Sequence, residues 1–452
     1  MMDLTRLSPA ALVEELSRLG LRRAYFVRDA EGRVTSSHPA LAPLAERLRA
    51  SSDYAEHEAI FLEFGERTRV LMGAFLHRTL RGQGIGGVRL WQYEDTLAFL
   101  KDGLRLSRGM GRKNALAGLW WGGGKGVIAR PPGALHKDPA FRSQIFQDYG
   151  AFITSLRGAY VTAEDVGTTP EDMLDIFRAT RFVVCVPPSV GGSGNPSPAT
   201  ARGVVCAMEG ALEYRGQGGL DGKVVALQGL GNVGGAMLPL LLERGVRRVV
   251  GAEVSAEVCA SIASRYESPR VEVRLVAPGD LAILREPCDV LAPNALGGVL
   301  NPDTIPHIRA PIVCGAANNQ LLDEERDGRL LHERDIVYVP DYLANRMGIV
   351  SCANEQYGTI ENDPALLMHY DRSWEGSVFN VTRRVLELAQ RERTTTTQAA
   401  NRLADELALE PHPIFGARTQ AIVRSLVEGG WAEAASPRRT NRPSAPQQAR
   451  VD

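Results

Sequence analysis

The sequence has no pair of cysteines at C-x-x-C spacing and no H-E-x-x-H segment, which removes the common zinc frameworks and the dithiol motif. Its six cysteines, at positions 185, 206, 259, 288, 314 and 352, are scattered. Reduced thiols in a cytoplasmic protein are therefore expected, rather than disulfides or a metal cluster. The early residues Asp3, Arg6, Glu14 and Glu15 interrupt any long apolar run, so neither a signal peptide nor a membrane span is expected. Net charge is nearly absent too. With 52 Lys and Arg against 53 Asp and Glu, there is no electrostatic case for nucleic acid or an anionic membrane as partner. What is present, 44% hydrophobic and 23% charged residues over 452 positions, suits a globular chain of two large lobes.

One stretch does not fit an ordinary core. "AGLWWGGGKGVIAR", residues 117–130, sets a lone Lys125 among glycines, with Trp120, Trp121, Val127 and Ile128 around it. A triphosphate-cradling loop needs Gly where Leu119 stands and Ser or Thr where Gly126 stands, so that reading fails. A tight turn with a solvated lysine is the plain alternative. The apolar setting opposes it, because a buried ammonium needs a partner or a lowered pKa.

Along the chain, Ser8, Pro9 and Gly20 punctuate a first helix. Residues 1–52 are expected to form an accessory segment, and 59–76 one or two strands. Leu97, Leu100 and Leu104 predict a helix over about 94–118 that carries Lys113 near its end. "SVGGSGNPSPAT", 189–200, marks a lobe boundary. The expected division is a substrate domain at 53–197, a nucleotide domain at 198–345, helices at 346–435 and a disordered tail at 436–452.

Residues 223–253 read as strand, "GLGNVG", helix and second strand ending in an acid. Gly229, Gly231 and Gly234 supply the tight turn, the close approach of a pyrophosphate and the helix–strand contact. Leu230, Asn232 and Val233 complete the loop, and the diphosphate would rest on the helix N-terminus. Glu253, nineteen residues past Gly234, is placed to accept from both ribose hydroxyls, which favours NAD. Arg247 and Arg248 keep NADP open as the less favoured cofactor.

"GIGGVRLW" (84–91), "GMGRKNALAG" (109–118), "YVTAEDVGTTPEDM" (160–173) and "CGAANNQL" (314–321) accompany these segments. Together they resemble the glutamate/leucine/phenylalanine/valine dehydrogenase family, nearest its leucine and phenylalanine branch, over roughly residues 60–390. The resemblance implies an α/β chain with an N-terminal catalytic domain and a Rossmann-like NAD-binding domain, its C-terminal helices packing back on the first. It implies Lys125 as the catalytic base, Asp165 as proton shuttle, Lys113 on the substrate carboxylate, and Gly86, Gly87 and Asn345 beside the substrate. Thr200 and Asn319 would lie near the nicotinamide. The expected reaction is NAD-dependent, reversible deamination of an amino acid to a 2-oxo acid and ammonia, in a homo-oligomer.

Positions matching the family's side-chain pocket are Ile85, Ala163, Ile349 and Cys352. They are apolar or nearly so, and such a pocket cannot repay the several kcal/mol that desolvating a second carboxylate costs. An aliphatic or aromatic substrate is expected. One departure is "NRMG" at 345–348, where Arg346 and Met347 replace small residues. Arg346 turned inward would restore an acidic substrate, and the altered segment also leaves open a non-catalytic NAD-binding sensor.

Overall fold

The computed structural model describes residues 3–358 and 360–433; the tail expected from residue 436 lies outside them. The first lobe is built on a mixed sheet of β1 (Arg23–Arg28), β2 (Val34–Ser36), β3 (Ala59–Phe64), β4 (Leu71–His77), β5 (Gly84–Trp91), β6 (Gly122–Ala129) and β7 (Tyr160–Glu164). Their order is β2-β1-β3-β4-β6-β5-β7. The first 52 residues thus extend this sheet, with β1 antiparallel to β3.

The stretch 59–76 is two strands, and its unbroken hydrophobicity has a cause. Ala59, Phe61, Met72, Ala74 and Leu76 enter one core, while Ile60, Leu62, Phe64, Leu71 and Phe75 enter another. A sheet covered on both faces has no polar side to alternate with. On one face lie α1 (Pro9–Arg18), α2 (Ala42–Arg49) and α3 (Thr96–Leu116); on the other lie α4 (Pro139–Ser155) and α5 (Pro170–Phe177). Asp95 starts α3 by accepting from the Ala98 N–H at 2.7 Å, and the helix runs 21 residues to the lysine-bearing end.

After α6 (Ser197–Tyr214) comes a second sheet, β8 (Val224–Gln228), β9 (Arg248–Glu253), β10 (Val271–Leu275), β11 (Val290–Pro293), β12 (Ile312–Val313) and β13 (Val337–Tyr338). All pairs are parallel, in the order β10-β9-β8-β11-β12-β13. This is the doubly wound arrangement whose strand order reverses between β8 and β11, where a crevice opens at the carboxyl ends. α7 (Asn232–Glu243), α8 (Ala256–Arg265) and α9 (Glu324–Glu333) belong to this lobe.

The chain then passes through α10 (Asp341–Ala344), α11 (Met347–Asn354) and α12 (Pro364–Leu367) to α13 (Val378–Glu392), α14 (Thr396–Leu407) and α15 (Arg418–Glu428). The return to the first lobe is divided. Val381, Val385, Ala400 and Leu403 of α13 and α14 join the core of the second lobe. Val423 and Leu426 of α15, with Trp431, join the first.

The expectation of reduced thiols is corrected at one place. Cys185 and Cys352 are disulfide-bonded, their Cα atoms 5.3 Å apart, while Cys206, Cys259, Cys288 and Cys314 are free. Scattered spacing hid the pair, because 167 residues separate the two sulfurs in sequence and only the fold brings them together.

Candidate active site

Lys125 lies in the middle of β6, between β4 and β5, with Phe75 opposite it in the β4 register. The glycines around it are filled by protein rather than left as space for a ligand. A Cβ at Gly123 would collide with the Ser107 carbonyl of α3, and one at Gly126 with the Tyr149 hydroxyl. From the helix side, a Cβ at Gly103 would strike the Phe75 ring, and one at Gly111 would come within 3.4 Å of the Gly123 Cα. Bare backbone on both partners lets α3 sit close on β6, and this brings Lys113 toward Lys125.

Lys125 is 3% exposed, and its amine donates to Asp165 Oδ2 at 2.7 Å. Asp165 follows β7 directly, and its backbone is held by Thr168, whose hydroxyl accepts from the Asp165 N–H at 2.9 Å. The same carboxylate oxygen accepts from Arg89 Nε of β5 at 3.1 Å. Arg89 is braced in turn by Asp102 of α3 at 3.1 Å, and Asp102 accepts from the Tyr93 hydroxyl at 2.6 Å. Sequence reasoning passed over Arg89 and Asp102; the arginine just after the paired glycines of "GIGGVR" was the available signal.

Burial lowers the Lys125 pKa against the opposing pull of Asp165, and the Arg89 cation pushes the same way as burial. For Asp165, burial acts upward but Lys125 and Arg89 overcome it, holding the carboxyl at about 2. Lys113 is pushed down to about 8, chiefly by burial, with Asp341 opposing and Lys125 adding to the fall. Among the described residues the Lys113 ammonium makes no hydrogen bond. An unpartnered half-buried cation beside the Lys125–Asp165 pair is a seat for an anionic group.

Gly86 and Gly87 of β5 lie opposite Thr162 and Ala163 of β7. Side chains there would collide with the Gly124 carbonyl and crowd Asp165 Cβ at 2.7 Å. The positions expected to form an apolar pocket meet in one cluster: Ile85 of β5, Ala163 of β7, and Ile349 and Cys352 of α11, with Trp121 and Val161. Its partner tryptophan diverges, since Trp120 is exposed under the Arg81 guanidinium, 4.3 Å from the ring centre.

Asn345 sits between α10 and α11 and donates to the Ala316 carbonyl at 3.0 Å and to Asn318 Oδ1 at 2.8 Å. Asn319 has φ 53° and donates its N–H to Asp341 Oδ2 at 3.0 Å. Thr200, in the first turn of α6, donates to the Pro196 carbonyl at 2.9 Å, and its hydroxyl lies 2.9 Å from where a Cβ at Gly348 would stand. Arg346 does not enter the pocket. It is fully buried, its two terminal nitrogens donating to the carbonyls of Leu116 at the end of α3 and Gly376 before α13.

At the second sheet, Gly229 has φ 92°, which favours glycine. Leu230 and Gly231 complete the turn into Asn232, Val233 and Gly234 of α7. A Cβ at Gly234 would strike the Gly229 carbonyl, whereas Gly231 faces open space. The α7 N-terminus thus points its free N–H groups into an opening, the chemistry that binds a phosphate. Glu253 closes β9 beside this turn. Its Oε2 accepts from the Leu230 N–H at 2.9 Å and its Oε1 from Val254 and Ser255. One Oε2 lone pair is left for a ribose hydroxyl. Arg248, at the far end of β9, is engaged by Glu272 and Glu286. These residues fit a dinucleotide.

The profile of the Glutamate/Leucine/Phenylalanine/Valine dehydrogenase family matches residues 191–408, and that of the Glu/Leu/Phe/Val dehydrogenase dimerisation domain matches 66–182. The leucine dehydrogenase of Geobacillus stearothermophilus is 40% identical over 332 residues, covering 73% of this chain and 85% of that one. The L-tryptophan dehydrogenase of Nostoc punctiforme is 35% identical over 351 residues, covering 77% and 93%. A crystal structure of L-tryptophan dehydrogenase from Nostoc punctiforme superposes with TM-score 0.64 at 32% identity, over 78% of this chain and 96% of that one. With both profiles matched in order on the two lobes just described, the chain belongs to the Glu/Leu/Phe/Val dehydrogenase family and is an amino-acid dehydrogenase, an oxidoreductase acting on CH–NH₂ donors, of the leucine/phenylalanine/tryptophan branch.

Proposed function

We propose that this dehydrogenase deaminates an apolar L-amino acid, branched-chain or aromatic, to its 2-oxo acid and ammonia, reversibly and with NAD. The observation that carries the reading is the meeting of three things in one place. They are the Lys125–Asp165 pair at 2.7 Å, the unpartnered Lys113 ammonium, and the uncharged cluster of Ile85, Ala163, Ile349 and Cys352.

In this reading Lys113 holds the α-carboxylate and the apolar cluster takes the side chain. When bound, NAD supplies a hydride acceptor at its nicotinamide ring. Gly229, Leu230, Gly231, Asn232, Val233 and Gly234 would hold its diphosphate and Glu253 a ribose hydroxyl, with Thr200, Asn319 and Asn345 toward the reacting end. The neutral Lys125 amine takes a proton from the water that attacks the iminium carbon of the substrate. Asp165, ionised at rest, takes that proton from Lys125 across their 2.7 Å contact and passes it to the departing nitrogen, returning to the carboxylate. The Glu253 charge opposes a 2′-phosphate, and Arg248 stands at the opposite end of β9 from Glu253, paired with Glu272 and Glu286. A homo-oligomer in the cytoplasm is the proposed working form, supported by the dimerisation-domain match.

The test is a spectrophotometric screen of leucine, valine, phenylalanine, tryptophan and glutamate, each with NAD and with NADP. Fastest turnover of an apolar amino acid with NAD is expected. Preference for glutamate, or NAD binding without any amino-acid oxidation, would overturn the reading.

A further inference from the structure

α11 belongs to two cores at once. Its Met347 and Val350 are buried in the core of the second lobe, while Ile349, Cys352 and Ala353 face the apolar cluster on the first. Cys185 belongs to the first lobe. It follows Val183, which bridges to Thr162 of β7, and its φ of 62° is a conformation that non-glycine residues seldom adopt. The loop is held in that shape by Glu355, just past α11. The Glu355 carboxylate accepts from the Cys185 N–H at 2.8 Å, the Ser193 N–H at 2.7 Å and the Ser193 hydroxyl at 2.6 Å. The Cys185–Cys352 bond lies beside this clamp and within the cluster that contains Ile85, Ala163 and Ile349.

We propose that Cys185 and Cys352 form a redox modification site, a tether between the first lobe and α11 whose making and breaking controls how firmly the side-chain pocket holds an amino acid. The proposal rests on the reading of that cluster as the substrate pocket. Closure proceeds by exchange with a low-molecular-weight disulfide. One cysteine thiolate attacks it and expels one thiol, then the second cysteine attacks the mixed disulfide and expels the other. Two protein thiols give up two electrons and two protons, and one small disulfide becomes two thiols. A dithiol reverses the sequence. Where glutathione keeps thiols reduced, a disulfide is exchanged rather than permanent.

Breaking the bond leaves the Glu355 clamp in place, so the fold persists while one pocket wall loosens. The amino-acid KM is then expected to rise by roughly fivefold or more, the size usual for coupling between two sites, with the NAD KM unchanged.

The test uses the full chain, incubated with oxidised glutathione or with dithiothreitol, then denatured, alkylated and weighed. Four alkylated thiols are expected after the first treatment and six after the second, from four free cysteines and one bonded pair. Steady-state kinetics with leucine and phenylalanine are run on both forms and on Cys185→Ser, which is expected to show the higher KM under either treatment. Amino-acid affinity is also read from intrinsic fluorescence, to which Trp121 in the cluster contributes. A catalytic failure that sinks the proposed function therefore still leaves this proposal decided. Six alkylated thiols after oxidised glutathione overturn it. So does a closed bond with equal amino-acid affinity in both redox forms, which would make the disulfide structural only.

Discussion

In the proposed mechanism Lys125 must be a neutral base while touching a carboxylate; burial does most to lower its pKa, and the Arg89 cation adds to the fall. A buried lysine paired with an aspartate alone would keep its proton. Here Asp165 Oδ2 divides its charge between Lys125 at 2.7 Å and Arg89 at 3.1 Å, and the guanidinium itself repels the ammonium. The charged groups facing Lys125 are Asp165, Arg89, Asp102 and Lys113. In that mechanism only the amine form is active, so deamination should speed up as pH rises through the lowered Lys125 value and level off above it. The Asp165 carboxyl, at about 2, contributes no limb in that range. Lys113 works in the opposite sense. It must be charged to hold a carboxylate, so the amino-acid KM should climb above about pH 8 while kcat is still high, and a flat KM would count against its role. Arg89→Met should move the kcat limb to higher pH, with about tenfold lower turnover for each pH unit it moves, and Arg89→Lys should bring it back. An unmoved limb in Arg89→Met would show that the arginine is only scaffolding. Lys125→Ala should cost roughly 10²–10⁴-fold in kcat while NADH binding, followed by its fluorescence, stays intact.

At the scale of elements, the joint between α3 and β6 decides whether the two lysines meet. The glycine-rich stretch around Lys125 and the turn at Gly229 were legible because each is a short continuous run of sequence. The Arg89–Asp102–Tyr93 brace and the 185–352 bond were not legible, since each depends on strands and helices brought together only by folding. The glycines were visible, but their purpose was not: a missing Cβ reads the same whether substrate or backbone fills the gap. Two substitutions in this joint separate the cases. Gly123→Ala drives a Cβ into the Ser107 carbonyl and to 2.8 Å from the His77 carbonyl, neither able to yield, and should cost about 3 kcal/mol. Gly109→Ala, on the same helix, meets nothing within 4 Å and should gain ~1 kcal/mol from helix propensity alone. Denaturant unfolding of the two variants checks both signs. Equal, small effects would mean that α3 does not press on β6 as described.

Across the whole molecule, the order of lobes could be read from the glycine punctuation and the strand–helix alternation, and the parallel second sheet follows from both. The path of the last helices could not. α13 and α14 carry the same amphipathic pattern whichever lobe receives them; in the fold their apolar faces enter the second core, while Asp405 of α14 is also held by Arg112 of α3 at 3.1 Å. Arg346 shows the same limit at a single position. From sequence it threatened to place a cation in the pocket; in the fold it links the end of α3 in the first lobe to Gly376 at the start of the returning helices. Burial without a carboxylate partner lowers its pKa to about 9, so it remains a cation at neutral pH, its two terminal nitrogens held by backbone carbonyls and its buried Nε without a partner among the described residues. Arg346→Met should therefore leave the ranking of substrates unaltered, with glutamate no worse relative to leucine than before. It should instead lower the thermal midpoint, because the buried Leu116 carbonyl and the partly buried Gly376 carbonyl lose their donors, the buried one at about 1–3 kcal/mol, partly offset by relieving the burial of a charge. Calorimetry with the five-substrate screen distinguishes the two roles. A selective loss of glutamate turnover with an unchanged midpoint would place the guanidinium in the pocket after all.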